Sequence, residues 1–395
     1  MLPFEGFREV QRAPKARQRI PSAVEVIVIG AGFAGASTAA ALARAGVRNG
    51  VLLEREAFPG THASGRNAGM ARQLESDPPV RALTIEGVRR LRTKSVNGCP
   101  VLRQSGGLYL MQGGQLGRAK QWIAQLEEQD VPSQFLPVAE ARRLFSFLCR
   151  FEFDGVVFCP TDGVVDIHAL LSDLLAEARQ GGFEIVTNCA AESLLLEGAV
   201  VRGVRSLRGE IGAQVVVDAT GAWAGHLGRA FAALPLKPLR RHLFFGGDPS
   251  MLPRDAPLVW DLDAGYYVKP EGAGLLLCPC DETEHAPGTP SVDFDATTLL
   301  AEKLLKYAPG LSNVTLRRGW ACLRTFAPDR RPVLGWDPDI RGLFHVAGLG
   351  GFGVTTSLAI GELASALIRG GVVDWVDASY FSPSREALKP TSLRQ

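Results

Sequence analysis

The sequence predicts an α/β protein in which a doubly wound parallel sheet is joined to a second, α+β domain with a mostly antiparallel sheet. Three observations predict it. Residues 24–54 (VEVIVIGAGFAGASTAAALARAGVRNGVLLE) run strand, glycine turn, helix, strand. Two later stretches repeat parts of that plan: 214–221 (QVVVDATG) is a second buried strand, and 343–367 (LFHVAGLGGFGVTTSLAIGELASAL) supplies a strand, a glycine cluster and a helix. Between 236 and 323 the pattern changes to strand-like runs with one helical interruption, as antiparallel pairing requires.

In the first unit, Val24, Val26, Ile27, Val28 and Ile29 form a nearly unbroken β-branched run, the pattern of a strand buried on both faces. Gly30 permits the tight turn, with Phe33 and Ala34 inside it. Gly32 lets backbone N–H groups approach a pyrophosphate at the positive end of the helix dipole, and Gly35 lets helix and sheet pack closely. Ala39, Ala40 and Ala43 keep that contact slim and favour the helix. Glu54 closes the second strand about 20 residues after the last glycine, where a carboxylate accepts hydrogen bonds from an adenosine ribose. A glycine triplet alone marks only a tight turn. With strand, helix and acid in register, the unit predicts a Rossmann-like, dinucleotide-binding domain.

Composition bounds the rest. The 395 residues suffice for two domains, and 46% hydrophobic with 21% charged residues describes an ordinary globule. The net charge of +2 is interspersed, not striped, so no nucleic-acid partner is expected. No apolar run reaches bilayer length, so no transmembrane segment is expected. The 7 cysteines show no zinc-type pairing and the 6 histidines no metal-ligand spacing. Reduced thiols, a cytoplasmic location and no metal are the expectation. Residues 1–22 form a basic extension. Without an apolar core a signal peptide is not expected, Glu5 and Glu9 weigh against an organelle presequence, and a surface-draped or frayed tail is the expectation.

After the first unit, 58–72 (FPGTHASGRNAGMAR) is a small-residue loop whose Gly60, Gly65 and Gly69 allow close backbone approach to a ligand. Helices are expected over 81–94, 118–129, 138–147, 167–180 and 297–307. Strands are expected over 106–110, 183–186, 240–245, 258–262, 266–269 and 275–278, with a meander between 193 and 205. The strand 214–221 ends in Ala219-Thr220-Gly221-Ala222-Trp223, which brings Ala219, Gly221 and Trp223 to the carboxyl end of a parallel sheet, where ligands sit. Gly350, Gly351 and Gly353 precede the last helix and offer a ligand a second helix N-terminus.

Seven stretches together resemble the FAD-dependent D-amino-acid oxidase/glycine oxidase (DAO) family, nearest to its bacterial D-amino-acid dehydrogenases of the D-arginine type. They are GAGFAGAST, LLEREAFPGTHASGRNAG, PTDGVVDIHAL, VVVDATGAWAG, YYVKP, LRTFAPDRRPVLG and VAGLGGFGVTTS. The resemblance implies a discontinuous FAD-binding domain of DAO type (23–98, 155–235 and 325–382), a substrate domain (99–154 and 236–324) and a tail (383–395). FAD would lie extended, its pyrophosphate over the first glycines and its ribose on Glu54, with Arg55 near the adenosine half. Ala191 falls where the family contacts adenine. Ser64, Arg66, Asn67, Ala68 and Gly69 would flank the flavin ring and ribityl chain. Gly350, Gly351, Phe352, Gly353, Val354 and Thr355 would close over the pyrimidine end, where the helix dipole favours reduced flavin.

The same resemblance implies oxidation of a D-amino acid or small secondary amino acid by hydride transfer to flavin, with oxygen or a quinone as electron acceptor. Arg324 matches the carboxylate-binding arginine, since a guanidinium grips a carboxylate through two parallel bonds. Tyr267 matches a phenol on the same carboxylate, and Arg241 a second pocket arginine. Their structural alternatives are a strand-end salt bridge, a half-buried core aromatic and a solvated edge residue. Met70 and Glu75 stand where the dehydrogenases carry an imidazole and a phenol. Gly107 stands where a carboxylate would read a cationic side chain, which puts a D-arginine preference in doubt. Met70 suits an adaptable apolar pocket, and Glu75 either reads a basic group or is a solvated loop charge. Cys322 falls where related sarcosine oxidases hold flavin covalently; an unreactive buried thiol is the alternative. Two other functions share the fold. A 2-hydroxy-acid dehydrogenase would need a base, for which His62 and His242 are the candidates. The other is a non-catalytic, FAD-stabilised assembly factor.

Overall fold

A computed structural model describes residues 20–113, 116–224 and 234–389. Most of the basic extension, residues 1–19, and the last six residues of the tail lie outside the described residues.

The central sheet has six strands in the order Phe183–Val186, Gly50–Leu53, Val26–Ile29, Val215–Asp218, Leu343–Ala347 and Val333–Trp336. The first five pair in parallel and Val333–Trp336 closes the edge antiparallel. Every residue of Val26–Ile29 is buried, as its β-branched run requires. Helix Phe33–Arg44 follows the glycine turn and lies between helices Ile167–Gln180 and Ser357–Ile368. Its closeness to the strand depends on Gly35, where a Cβ would stand 1.9 Å from Gly30 O. Helix Ile167–Gln180 starts where expected because Asp166 caps it, its carboxylate accepting from the N–H groups of His168 and Ala169. Strands Ala191–Glu197, Val200–Ser206 and Gly209–Gly212 form the anticipated meander.

The second sheet has nine strands, drawn from Gly107–Cys159 and Lys237–Phe326. Its pairs are antiparallel except Leu258–Asp261 against Gly107–Met111. The 11-residue strand Leu316–Phe326 was not singled out from the sequence, because Arg317, Arg318, Cys322 and Arg324 interrupt its apolar alternation. Short strands also appear where loop was expected, among them Met70–Ala71 at the end of the small-residue loop.

Register divides this sheet into two faces. Phe244, Leu277, Val268, Val259, Leu108 and Val156 bury against Leu300 and Leu304 of helix Phe294–Tyr307. The opposite face carries Arg324, Cys322, Arg241, Cys278, Tyr267 and Trp260, through the pairs Arg241↔Cys322, Tyr267↔Cys278 and Trp260↔Tyr267. Polar and reactive side chains therefore share the face away from the apolar core. No helix among the described residues is long and apolar enough to cross a membrane.

One buried charge cluster ties the parallel strands together. His345 is 2% exposed, with Nε2 2.8 Å from Asp337 Oδ2 and Nδ1 3.5 Å from Asp218 Oδ2. Burial alone would lower its pKa, but the two carboxylates outweigh burial and raise it to about 9. A raised histidine stabilises fully below its ordinary value of 6.5 and loses that contribution as pH climbs through 9. The stake is on the order of 3 kcal/mol. Urea midpoints should therefore fall between those two pH values, and His345→Gln should flatten that fall.

Candidate active site

The strand ends and glycine turns of the parallel sheet open into a cavity of about 420 Å³ that reaches the nine-stranded sheet. Its floor is built as the glycine spacing suggests. Gly30 has φ +102°, and a Cβ there would meet Ala219 O at 2.5 Å. Gly32 caps the helix without a side chain, and the Phe33 N–H donates instead to Ser64 Oγ at 2.9 Å. Glu54 is buried with both oxygens in use, Oε2 accepting from Ala31 N and Oε1 from Glu56 N, each at 2.9 Å. Its carboxylate thus ties the glycine turn to the second strand while lining the cavity.

Most of the residues expected to hold the nucleotide line this one space. Gly30, Gly32, Phe33, Ala34, Glu54 and Arg55 come from the first unit, and Ser64, Arg66 and Asn67 from the loop. Ala191, Ala219, Gly221 and Trp223 come from the middle of the chain, and Gly350, Gly351, Gly353 and Val354 from the last glycine cluster. Ala68, Gly69, Phe352 and Thr355 are not among the lining residues. Gly69 N donates to Asn67 Oδ1 at 2.7 Å, and Thr355 Oγ1 to Met70 O at 3.1 Å.

The sequence offered no signal for Glu192, Gly288 or Pro290, which also line the cavity. His62, considered only as a base, lines it too. Its Nε2 is 3.0 Å from Glu56 Oε1, and its ring packs 4.8 Å from Trp223, over which the Arg55 guanidinium lies at 4.6 Å.

At the other end, Cys322, Leu323, Arg324 and Thr325 form the wall. Gly350 N donates to Thr325 O at 2.9 Å, and Trp320 Nε1 to Arg66 O at 3.0 Å, so both glycine-rich loops are fastened to this strand. Arg324 is 8% exposed, and its Nη1 donates to Cys322 Sγ at 2.9 Å. Among the described residues no carboxylate lies within ion-pair distance of it. A buried cation without a counter-charge is costly. This one faces a cavity that an anion can enter. Cys322 is buried, which pushes its thiol up in pKa.

Tyr267, Cys278, Cys322, Leu243, Leu276 and Ala68 form one buried cluster, with Met70, Trp260 and Trp320 packed on it. Arg241 reaches the same cluster but is committed, its Nε to Asp281 O at 2.9 Å and its Nη2 to Glu282 Oε1 at 2.7 Å. Arg240 points the other way and pairs with Asp293. Glu75 pairs with Arg72 at 3.3 Å, and that guanidinium lies between the rings of Trp260 and Phe352 at 4.5 and 4.6 Å. At Gly107, a Cβ would stand 2.9 Å from Asp162 Oδ2. His242 is fully buried on the opposite face, with Nδ1 2.7 Å from Asp281 Oδ2 and Nε2 accepting from Asp293 N at 2.9 Å.

The cradle fits a dinucleotide on structural grounds: excluded Cβ positions, an N-terminal amide row, a buried carboxylate and a second glycine cluster opposite. The family described as FAD dependent oxidoreductase (DAO) matches residues 25–367, and the chain belongs to it. As a member of that family, it has FAD as its cofactor. Mouse mitochondrial sarcosine dehydrogenase is 27% identical over 386 residues, covering 93% of this chain and 42% of the relative. The mouse mitochondrial pyruvate dehydrogenase phosphatase regulatory subunit is 24% identical, covering 89% of this chain and 42% of the relative. The chain thus spans less than half the length of these relatives. Among solved structures, L-proline dehydrogenase from P. horikoshii superposes with a TM-score of 0.81 at 22% identity, covering 93% of this chain and 98% of that one.

Removing the Glu54 carboxylate strips acceptors from one buried and one half-buried amide as well as from the cavity wall. Glu54→Ala should weaken FAD binding by about 10- to 100-fold, at roughly 1–3 kcal/mol for such losses. Flavin absorbance retained through dialysis measures this.

Proposed function

We propose that the chain oxidises the CH–N bond of a small amino acid, with N-methylglycine and similar secondary amino acids as the leading class and D-amino acids as the next. The observation that carries this reading is Arg324, a buried guanidinium at the cavity wall with no acidic partner. A guanidinium binds a carboxylate through two parallel charge-assisted bonds, which fixes both position and orientation of the α-carbon. Bound FAD supplies a hydride acceptor. The apolar cluster of Tyr267, Met70, Trp260 and Trp320 packs around Cys322 behind the Arg324 end of the cavity, an apolar surrounding that suits a small uncharged substituent. Glu75 is already paired with Arg72 and Gly107 carries no side chain, so nothing here favours a cationic side chain. The relative named sarcosine dehydrogenase supports a secondary amine. The product would be an imino acid that hydrolyses to a keto acid or aldehyde and an amine.

For the 2-hydroxy-acid alternative, neither histidine weighed as a base stands free at the Arg324 end of the cavity. Both nitrogens of His242 are occupied on the far face, and His62 sits beside Glu56 and Trp223. The non-catalytic alternative draws support from the relative named as a regulatory subunit, and against it stands the uncompensated Arg324.

Anaerobic mixing with sarcosine, other N-methyl amino acids, D- and L-amino acids, glycine and 2-hydroxy acids should bleach the flavin with sarcosine or its analogues. No bleaching across the panel would favour the non-catalytic role. Arg324→Ala should keep its FAD and lose about two to three orders of magnitude in kcat/KM, since removing one partner of a buried charge pair costs roughly 3–5 kcal/mol. Near-normal turnover would remove the carboxylate anchor.

A further inference from the structure

The carboxylate role proposed for Arg324, on which this inference rests, requires that the guanidinium be aimed as well as buried. An arginine side chain has many rotamers, and something must select one. Among the described residues the guanidinium has one hydrogen-bond partner, Cys322, whose Sγ accepts from Nη1 at 2.9 Å. Both residues line the cavity. Two positions apart on strand Leu316–Phe326, they project from the same face of the sheet. The guanidinium therefore folds back along its own strand toward residue 322.

That contact decides which edge of the guanidinium stays open. Its five N–H groups form a rigid planar fork, in which Nε–H and the neighbouring Nη2–H run parallel and match two carboxylate oxygens. The sulfur occupies Nη1, the nitrogen outside that pair. Neither Nε nor Nη2 has a partner among the described residues, and neither is sealed from open space. The matching pair is thus left to the cavity that Arg324 lines.

The sulfur is itself held in place. Cys322 is 2% exposed, within the cluster of Tyr267, Leu243, Leu276 and Cys278. Its thiol donates to Arg241 O at 3.8 Å, across the pair Arg241↔Cys322. Arg241 is fixed in turn through Asp281 O and Glu282. With its one proton directed at a carbonyl, the sulfur is left with lone pairs for Arg324.

A thiol suits this task better than a stronger acceptor. An aspartate at 322 would neutralise the guanidinium and stand in for the substrate carboxylate. A weak, uncharged acceptor fixes direction and leaves the charge for the ligand. Burial pushes the Cys322 thiol up in pKa against the pull of Arg324, so the sulfur keeps its proton at neutral pH.

We propose that Cys322 is a positioning residue for the substrate carboxylate: its sulfur turns Arg324 so that the Nε and Nη2 edge meets the anion, and it supplies no counter-charge. Cys322 acts through Arg324, and its sulfur is committed to that guanidinium instead of to the flavin ring.

The test uses the FAD-loaded full chain and its Cys322→Ala, Cys322→Ser and Cys322→Asp variants. Sarcosine is the substrate, and acetate is the ligand that carries a carboxylate and no amine. Calorimetry reads acetate binding, and anaerobic rapid mixing reads flavin reduction. Cys322→Asp should bind acetate about 100-fold more weakly, its own carboxylate serving Arg324 in the ligand's place. Cys322→Ala keeps the charge free. Its acetate affinity should change by no more than about threefold, while flavin reduction at saturating sarcosine slows about 10-fold for want of orientation. Cys322→Ser, which restores an uncharged acceptor, should recover most of that rate. A space-filling role alone would not separate binding from reduction in this way. Equal acetate affinity in Cys322→Asp and the parent, or equal reduction rates in Cys322→Ala and the parent, would overturn the proposal. So would flavin that stays with the acid-precipitated protein, which assigns the sulfur to the cofactor. Should Cys322→Asp fail to fold, the alanine and serine rates decide. If no amino acid reduces the flavin, the oxidation itself falls, and the acetate affinities still decide the role of Cys322.

Discussion

A guanidinium kept out of water without a counter-ion is the constraint around which this molecule is arranged. Desolvating Arg324 is tolerable only because the cavity beside it admits an anion and because Cys322 Sγ accepts a hydrogen bond from it. The residue stands at the sheet end of the cavity, with nucleotide-lining residues at the other. Under the proposed function, an anion held by Arg324 and the cofactor would share this one cavity.

The strand that carries Arg324 joins the two halves physically. Leu316–Phe326 pairs along the length of Lys237–Gly246, and beyond that pairing Thr325 receives the Gly350 N–H. The wall of one sheet and the glycine loop of the other thus meet through the backbone, which resists changes of side chain. Trp320 adds a second fastening to the Arg66 carbonyl. Two-residue periodicity does the rest, sending His242 and Phe244 to the core and Arg241 and Cys322 to the chemical face.

Much of this was legible in the sequence where local pattern and tertiary demand coincide. Val26–Ile29, Gly30, Gly32, Gly35 and Glu54 form a unit whose spacing permits few other structures, and they occupy the positions it suggests. Legibility fails where a residue's partner comes from far along the chain. Nothing near Glu75 announces Arg72 lying between Trp260 and Phe352, and nothing near Arg241 announces Glu282. The strand Leu316–Phe326 is obscured for a related reason: Cys322 and Arg324 line the cavity while Arg317 and Arg318 are exposed, and together they break its apolar alternation. His62 reaches the nucleotide cavity through loop geometry that carries no periodicity.

The central sheet takes its neighbouring strands from around residues 26–53, 183–218 and 333–347. During synthesis the opening βαβ segment therefore leaves the ribosome long before the strands that flank it, and the second glycine cluster comes later still. Pairings of such sequence separation form slowly and leave apolar edges uncovered in the meantime. The nascent polypeptide has no complete nucleotide berth until the glycine cluster at 350–353 has been made. Flavin then acts after these later strands have emerged, as a ligand that draws closure of the sheet to completion.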